Sequence, residues 1–325
     1  MSGQASVRAR SNIALVKYWG KADPVLNTPA VGSISITLDR LWTETTVRFD
    51  ASLERDSLVL DGAERAEQLD RVSRCVDLIR DIAGTDIRAE IVSANNFPTG
   101  AGLASSASGF AALVGAAAEA LGLELSPREL SILARRGSGS AARSIFGGYV
   151  EMHKGEAVDG SDSFAEPLAA AEAWPLTVLV AITEKKEKAV GSGSGMSLSA
   201  TSSPYYAAWV DSHPADLDTA RRAIVERDFA TLATVSESSC LKMHAAAIST
   251  TPPLVYWNGA TVDCLNRVRA ARNDGVPVFF TIDAGPQVKA VCLPAAADDV
   301  RALLERAPGV ENVIETGLGP GLEAF

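Results

Sequence analysis

Asn96-Phe97-Pro98-Thr99-Gly100-Ala101-Gly102-Leu103-Ala104-Ser105-Ser106-Ala107-Ser108-Gly109 joins a glycine turn to a serine-rich helix start. Upstream, Ile87, Ala89 and Ile91 alternate with polar neighbours as a half-buried strand does; downstream, Phe110, Leu113, Val114, Ala117 and Leu121 recur at helical spacing. The stretch therefore reads as a strand-to-helix turn. Such a turn gathers unpaired N–H groups and the positive end of a helix dipole, and glycine lets an anion approach the backbone. Ser105, Ser106 and Ser108 add hydroxyls suited to phosphate oxygens or Mg²⁺. The Gly-Lys-Ser/Thr ending of the common P-loop is missing, so that family is not implied. The bland alternative is a tight, well-capped connection.

Working outward, strand-like segments at residues 7–10, 43–49 and 87–92 share the first half with a helical pattern at Leu69, Val72, Val76 and Ile79. That mixture reads as α+β rather than a regular βαβ series. Ser126-Pro127-Arg128-Glu129 is a helix start with a capping box and proline in the first turn. It leads to a second small-residue loop, Gly137-Ser138-Gly139-Ser140-Ala141-Ala142-Arg143-Ser144, and then to a strand around residues 148–153. The apolar run 176–182 reads as a buried strand, and the lobe boundary is placed near 185, dividing the chain into 1–184 and 185–325. Beyond it lie Gly191-Ser192-Gly193-Ser194-Gly195, helical patterns to about Ala247, a helix opening near Asn258 and a strand at 277–282. That strand runs into Asp283-Ala284-Gly285-Pro286, where a sharp turn can project the carboxylate into a cleft.

The 325 residues suffice for two packed lobes, and a hydrophobic share of 47% fits a compact soluble chain. No apolar run reaches membrane-spanning length and no signal pattern is read at the N-terminus, so the expected address is the cytoplasm. Cys75, Cys240, Cys264 and Cys292 are scattered without CxxC pairing, which suggests neither a zinc site nor a disulfide framework. A net charge of −10 opposes attraction to nucleic acid or anionic membrane. A phosphorylated small molecule would need locally focused cations, for which Lys17, Lys21, Arg143, Lys185, Lys186 and Lys188 are available.

Asn12-Ile13-Ala14-Leu15-Val16-Lys17-Tyr18-Trp19-Gly20-Lys21 crowds two aromatics and two lysines beside a glycine. Together with residues 96–108, Ser138 to Arg143, Gly195-Met196, Met243-His244-Ala245 and Asp283-Ala284-Gly285-Pro286, it resembles the diphosphomevalonate decarboxylases of the GHMP small-molecule kinase superfamily. The resemblance runs over nearly the whole chain with its motifs in family order. It implies an N-terminal lobe like ribosomal protein S5 domain 2, a ferredoxin-like C-terminal lobe and an active site between them, commonly in a homodimer. It also implies ATP and Mg²⁺, and conversion of 5-diphosphomevalonate to isopentenyl diphosphate with loss of CO₂.

By motif match, Asp283 is the base for the C3 hydroxyl, Lys17 the neighbouring cation and Arg143 the grip on the C1 carboxylate. Tyr18, Lys21, Ser138, Gly139, Ser140 and Ser192 match contacts to the C5 phosphates. Asn96, Pro98, Gly102, Leu103, Ala104, Ser105, Ser106 and Ser108 match the ATP cradle, with Ser106 nearest the metal. The sequence departs from the family at Val31-Gly32-Ser33, where many members carry Asn-Ser-Ser, and at Gly193, where many bacterial members carry arginine. A phosphomevalonate decarboxylase, a superfamily kinase that stops at phosphorylation and a catalytically silent metabolite sensor are the rival readings. His153 and His213 are left without a role, and His244, though in a family-like segment, without a chemical partner.

Overall fold

The computed structural model describes residues 3–97, 103–184, 186 and 189–325. In chain order the described strands are β1 (Gln4–Val16), β2 (Lys21–Asp23), β3 (Thr28–Pro29), β4 (Ser33–Phe49), β5 (Ser57–Leu60), β6 (Ala63–Glu64), β7 (Ala89–Asn95), β8 (Tyr149–Met152), β9 (Ala165–Ala169), β10 (Thr177–Ile182), β11 (Val278–Thr281), β12 (Val288–Cys292), β13 (Asn312–Thr316) and β14 (Glu323–Ala324). The α-helices are α1 (Ala66–Ala83), α2 (Ser105–Ala120), α3 (Pro127–Gly137), α4 (Ser192–Ser202), α5 (Tyr206–Glu226), α6 (Phe229–Ile248), α7 (Gly259–Asn273) and α8 (Ala297–Glu305). The expected α+β class is what the chain adopts.

The first sheet runs β14-β1-β4-β7-β5-β6, with β8 joined to β4 and β9 to β8. β4 is long enough to serve two partners: residues 33–36 pair with β8 and residues 43–49 with β7. β1 lies antiparallel to β4, and its register shifts between Arg10 and Asn12 and again between Ala14 and Val16. Bulges of this kind re-aim side chains beside a site, and here they occur just before Lys17. The second sheet, β11-β12-β10-β13, is antiparallel throughout. With α7 between β10 and β11 and α8 between β12 and β13, this is the split β-α-β-β-α-β arrangement of a ferredoxin-like layer. β10 is thus an inner strand of the second sheet, while β14 returns to the edge of the first.

Local sequence accounts for many of the boundaries. α1 buries Val72, Cys75, Val76 and Ile79 along one stripe and ends at Gly84 in the left-handed conformation. α3 carries the capping box expected at Ser126 and Glu129, and α7 carries another between Asn258 and Thr261. α2 is buried over most of its circumference, so its small residues reflect close packing against β1 and β4. The second small-residue loop is not a loop: Gly137 closes α3, and Gly139–Ile145 forms a 3-10 helix.

The two sheets share a core in which Ile13, Leu15, Ile34 and Ile36 of the first meet Val178, Val180, Phe279 and Val291 of the second. Polar ties reinforce the seam. Thr281 Oγ1 donates to the carbonyl of Ala14 at 3.1 Å, and the Lys17 N–H donates to Ser239 Oγ of α6 at 3.0 Å. The end of β1 is thereby seated against the second sheet.

Candidate active site

A cavity of about 880 Å³ opens where the end of β1, the starts of α2 and α4, the end of α3, the 3-10 helix and the turn after β11 converge. Eleven of the residues singled out in the sequence line it: Tyr18, Lys21, Ala104, Ser105, Ser106, Ser138, Gly139, Ser140, Arg143, Ser192 and Asp283. Among the described residues on its wall, five carry a positive charge (Lys21, Arg71, Arg74, Arg136 and Arg143), and Asp283 is the sole carboxylate. A chain of net charge −10 therefore concentrates cations at one place, which attracts an anionic ligand against the overall field.

Asp283 follows β11 by way of Ile282, whose N–H donates to Cys240 Sγ at 3.2 Å. That buried thiol, unremarkable in sequence, holds the turn in place. Lys17 is 1% exposed and donates from Nζ to Asp283 Oδ1 at 2.7 Å. On the other side, Lys289 Nζ, equally buried, lies 3.4 Å from Asp283 Oδ2. Burial alone would raise the carboxyl's pKa, but the two ammoniums overcome it and hold the group well below the usual carboxylate range. Asp283 Oδ2 itself has no hydrogen bond. Nothing in local sequence marks Lys289. It comes alongside because β11 and β12 pair with Thr281 opposite Lys289.

Arg143 is buried, and burial lowers its pKa to about 10 despite the nearby Asp283. Nε and Nη2 donate to Asn12 Oδ1 at 3.2 and 3.0 Å, and Nη1 donates to Ser33 Oγ. Asn12 is in turn fixed by donating to Ser144 Oγ at 2.7 Å and to the carbonyl of Ser140 at 3.0 Å. These bonds use three of the five guanidinium N–H groups and leave one on each Nη nitrogen for a ligand. Asn12 and Ser33 were quoted in the sequence without a chemical role; they reach Arg143 from two neighbouring strands, β1 and β4.

Tyr18 is pressed against the 3-10 helix so closely that a Cβ on Gly139 would lie 2.2 Å from its hydroxyl. Glycine is required there by proximity. Burial pushes the Tyr18 phenol up to about 12, against the pull of Arg143 and Arg71, so it stays a donor. Ser138 Oγ lies 3.4 Å from Ser106 Oγ and 3.3 Å from Ser140 Oγ, which brings the two serine-rich motifs together. Burial lowers the pKa of Lys21, and Arg71 adds to the effect. Arg71 reaches from α1 to the carbonyl of Gly137 and stacks over Phe110. Sequence alone gave Arg71, Arg74 and Arg136 no more weight than other surface arginines.

The N-cap of α2 is Ala104 in the left-handed conformation, φ 59°, which supplies no side-chain cap. A non-glycine residue held at positive φ is uncommon and gathers at functional sites. Three members of the expected cradle stand elsewhere. Asn96 braces β4, accepting from the Trp42 N–H and donating to the Arg40 carbonyl, each at 2.8 Å. Leu103 gives its side chain to the core and its carbonyl to Ser11 Oγ. Ser108 is fully buried and shares a 2.6 Å hydrogen bond with Thr43. Helical periodicity sends each successive side chain about 100° around the axis, so Ser108 cannot face the same way as Ser106. Pro98 and Gly102 lie outside the described residues, as do Lys185 and Lys188.

The histidines are structural. His244 is buried with Nε2 at 3.2 Å from the Ile282 carbonyl and 3.3 Å from Trp257 Nε1. Burial, then Lys17, lowers its pKa to about 3. His213 meets the Gly32 carbonyl, and His153 pairs with Glu166 at the surface. Among the described residues no cluster of three His, Cys, Asp or Glu could hold a metal, and no helix is long and apolar enough to cross a membrane.

The chain matches two family models: the diphosphomevalonate decarboxylase-like N-terminal domain over residues 9–165, and the mevalonate 5-diphosphate decarboxylase C-terminal domain over residues 178–316. It is 35% identical to the diphosphomevalonate decarboxylase of Candida albicans, covering 98% of this chain and 96% of that protein. With the human diphosphomevalonate decarboxylase it shares 38% identity over 85% and 72% of the two chains. The mevalonate diphosphate decarboxylase structure from Staphylococcus aureus superposes with a TM-score of 0.94 at 40% identity, covering 100% of this chain and 98% of the other. A structure of MDDEF in complex with MVAPP, AMPPCP and magnesium gives 0.93 at 40% identity, over 100% and 99%. The cation-lined cavity around Asp283 and the match along the chain agree: this protein belongs to the diphosphomevalonate decarboxylase family.

Proposed function

We propose that this chain carries out the family's reaction, the ATP-dependent decarboxylation of 5-diphosphomevalonate to isopentenyl diphosphate, with Asp283, Lys17 and Arg143 at its chemical centre. The observation that supports this reading is that Asp283, the sole carboxylate among the described residues of the cavity wall, is held ionised by Lys17 and Lys289. The difficulty of the reaction is the tertiary C3 hydroxyl, a poor leaving group until it is phosphorylated. Asp283 orients that hydroxyl and takes its proton as the oxygen attacks the terminal phosphorus of ATP and the bond to ADP breaks. A positioned base contributes about 10²–10⁴-fold.

Arg143 holds the C1 carboxylate through its two remaining N–H groups, which sets the C1–C2 bond for cleavage. When the C3–O bond breaks and phosphate departs, the electrons of C1–C2 become the C2=C3 double bond and CO₂ leaves. Positioning and charge stabilisation supply most of the gain in such transfers.

Tyr18, Lys21, Ser138, Gly139, Ser140 and Ser192 receive the C5 diphosphate, and Ala104, Ser105 and Ser106 receive the phosphates of ATP at the positive end of α2. The donor set suits Mg²⁺ carried on phosphate oxygens: Ser106 offers an exposed hydroxyl beside Ser138, and among the described residues no carboxylate cage competes. Bound there, the ion would neutralise phosphate charge. The division between lobes is best drawn between β9 and β10, where the chain passes from one sheet to the other. A homodimer in the cytoplasm completes the reading on the strength of the family resemblance.

The deciding experiment offers the purified protein ATP, Mg²⁺ and either 5-phospho- or 5-diphosphomevalonate, and follows ADP and CO₂ together. Equal release of ADP and CO₂ with the diphosphate is expected. ADP without ¹⁴CO₂ from C1-labelled substrate would make the chain a kinase, and preference for the monophosphate would reassign the C5 subsite, where Gly193 supplies no cation.

A further inference from the structure

Two buried ammoniums face one carboxylate at Asp283, which is more positive charge than a structural ion pair needs. Lys289 is 1% exposed on β12, an inner strand of the second sheet, while Lys17 arrives from β1 of the first. Burying a cation costs several kcal/mol unless it is well compensated, so an apolar residue would be the cheaper occupant of this strand position. We infer that Lys289 is a positioning residue for the reaction: its ammonium holds the Oδ2 side of Asp283, so the carboxylate stays ionised and in one orientation between two cations. The inference rests on Asp283 being the base.

The other titratable groups around Asp283 leave this role to the lysines. From α6, Cys240 has its thiol pKa raised by burial, and His244 has its pKa lowered to about 3, so both stay neutral near pH 7. From the 3-10 helix, Arg143 remains a cation whose N–H groups go to Asn12 and Ser33. Lys17 bonds Oδ1 at 2.7 Å. Lys289 therefore supplies the charge nearest Oδ2, at 3.4 Å. Being fixed on a strand, it also resists rotation of the carboxylate when substrate arrives.

The test compares Lys289→Met, Lys289→Arg and Asp283→Asn in the full-length protein by three measurements: kcat and KM for both substrates, thermal unfolding, and ¹³C-NMR titration of the Asp283 carboxyl, assigned by its loss in Asp283→Asn. Lys289→Met is expected to lower kcat about tenfold or more with little change in either KM, since the residue does not touch substrate. The Asp283 titration should move up by about one unit, because an opposite charge has been removed. Its Tm establishes that the variant is folded, so that the loss of kcat is read at Asp283. Lys289→Arg should restore the titration and part of kcat.

Unchanged kcat and titration in Lys289→Met, with Asp283→Asn inactive, would overturn the role of Lys289 alone. Substantial turnover in Asp283→Asn would instead remove the base on which it rests. Should Lys289→Met not fold, the inference still stands or falls on Lys289→Arg: a titration displaced despite the retained charge overturns it.

Discussion

Two buried carboxylates of this molecule sit beside cations and do opposite things. Asp56 meets Arg80 through both oxygens and also accepts the Ala89 N–H at 2.8 Å, so its acceptors are saturated. Asp283 meets Lys17 through Oδ1 at 2.7 Å, has the Lys289 ammonium 3.4 Å from Oδ2, and accepts no backbone N–H at that oxygen. Asp56 and Arg80 are each 3% exposed, whereas Asp283 is 24% exposed. A saturated carboxylate locks β5 and β7 to α1; an unsaturated one keeps a lone pair for a proton. Two helix starts repeat the contrast. α3 has a complete capping box, while α2, at the cavity, has no side-chain cap and a left-handed alanine instead.

The comparison breaks most visibly at Asp283. Asp283→Ala should reduce CO₂ release by about 10²–10⁴-fold while ATP still binds; substantial turnover in a coupled ADP assay would remove Asp283 from the base role. Next comes Asp56→Asn, which leaves the buried Arg80 with only the half-exposed Asp77 as counter-charge and should cost up to about 3–5 kcal/mol of stability in urea unfolding. The folded variant should keep its kcat.

The pH dependence of that stability sharpens the point. Burial acts to raise the Asp56 pKa, but Arg80 and the Ala89 N–H overcome it and the folded value is lowered. Its stabilisation is therefore present above the unfolded carboxyl's value of about 4 and is lost as pH falls through the folded value. Asp56→Asn should flatten that acid-side decline, and an unaltered slope would show that the pair contributes nothing to it.

Arg143→Lys keeps a charge but not the fork, and should lower kcat/KM for the mevalonate substrate about tenfold to a hundredfold with ATP affinity little changed. Unchanged KM and kcat would rule out the carboxylate grip. The smallest effect belongs to the capped helix: Ser126→Ala should cost about 1 kcal/mol in unfolding and leave activity alone. A loss of activity there would mean that the start of α3 is coupled to the cavity.

Much of this was legible beforehand, for identifiable reasons. Strand alternation, the capping box at Ser126, the helix opening near Asn258 and the turn at Asp283 are local patterns that a few adjacent residues enforce. The cradle was legible only in part. Gly/Ser composition marks a phosphate-type turn but does not say which side chains face outward: that of Asn96 braces β4, that of Leu103 fills the core and that of Ser108 bonds Thr43. The 3-10 helix was hidden because its small residues carry no periodic apolar signal.

Sequence by itself determined the α+β class, the family and the principal chemical groups, because each depends on residue types at short, ordered spacings. Tertiary structure decided which of those groups meet. Lys17, Lys289 and Asp283 are separated by up to 272 positions in the chain, and only the seam between two sheets and the pairing of β11 with β12 bring them within 3.4 Å. Charge acts through space, and no local pattern encodes that distance.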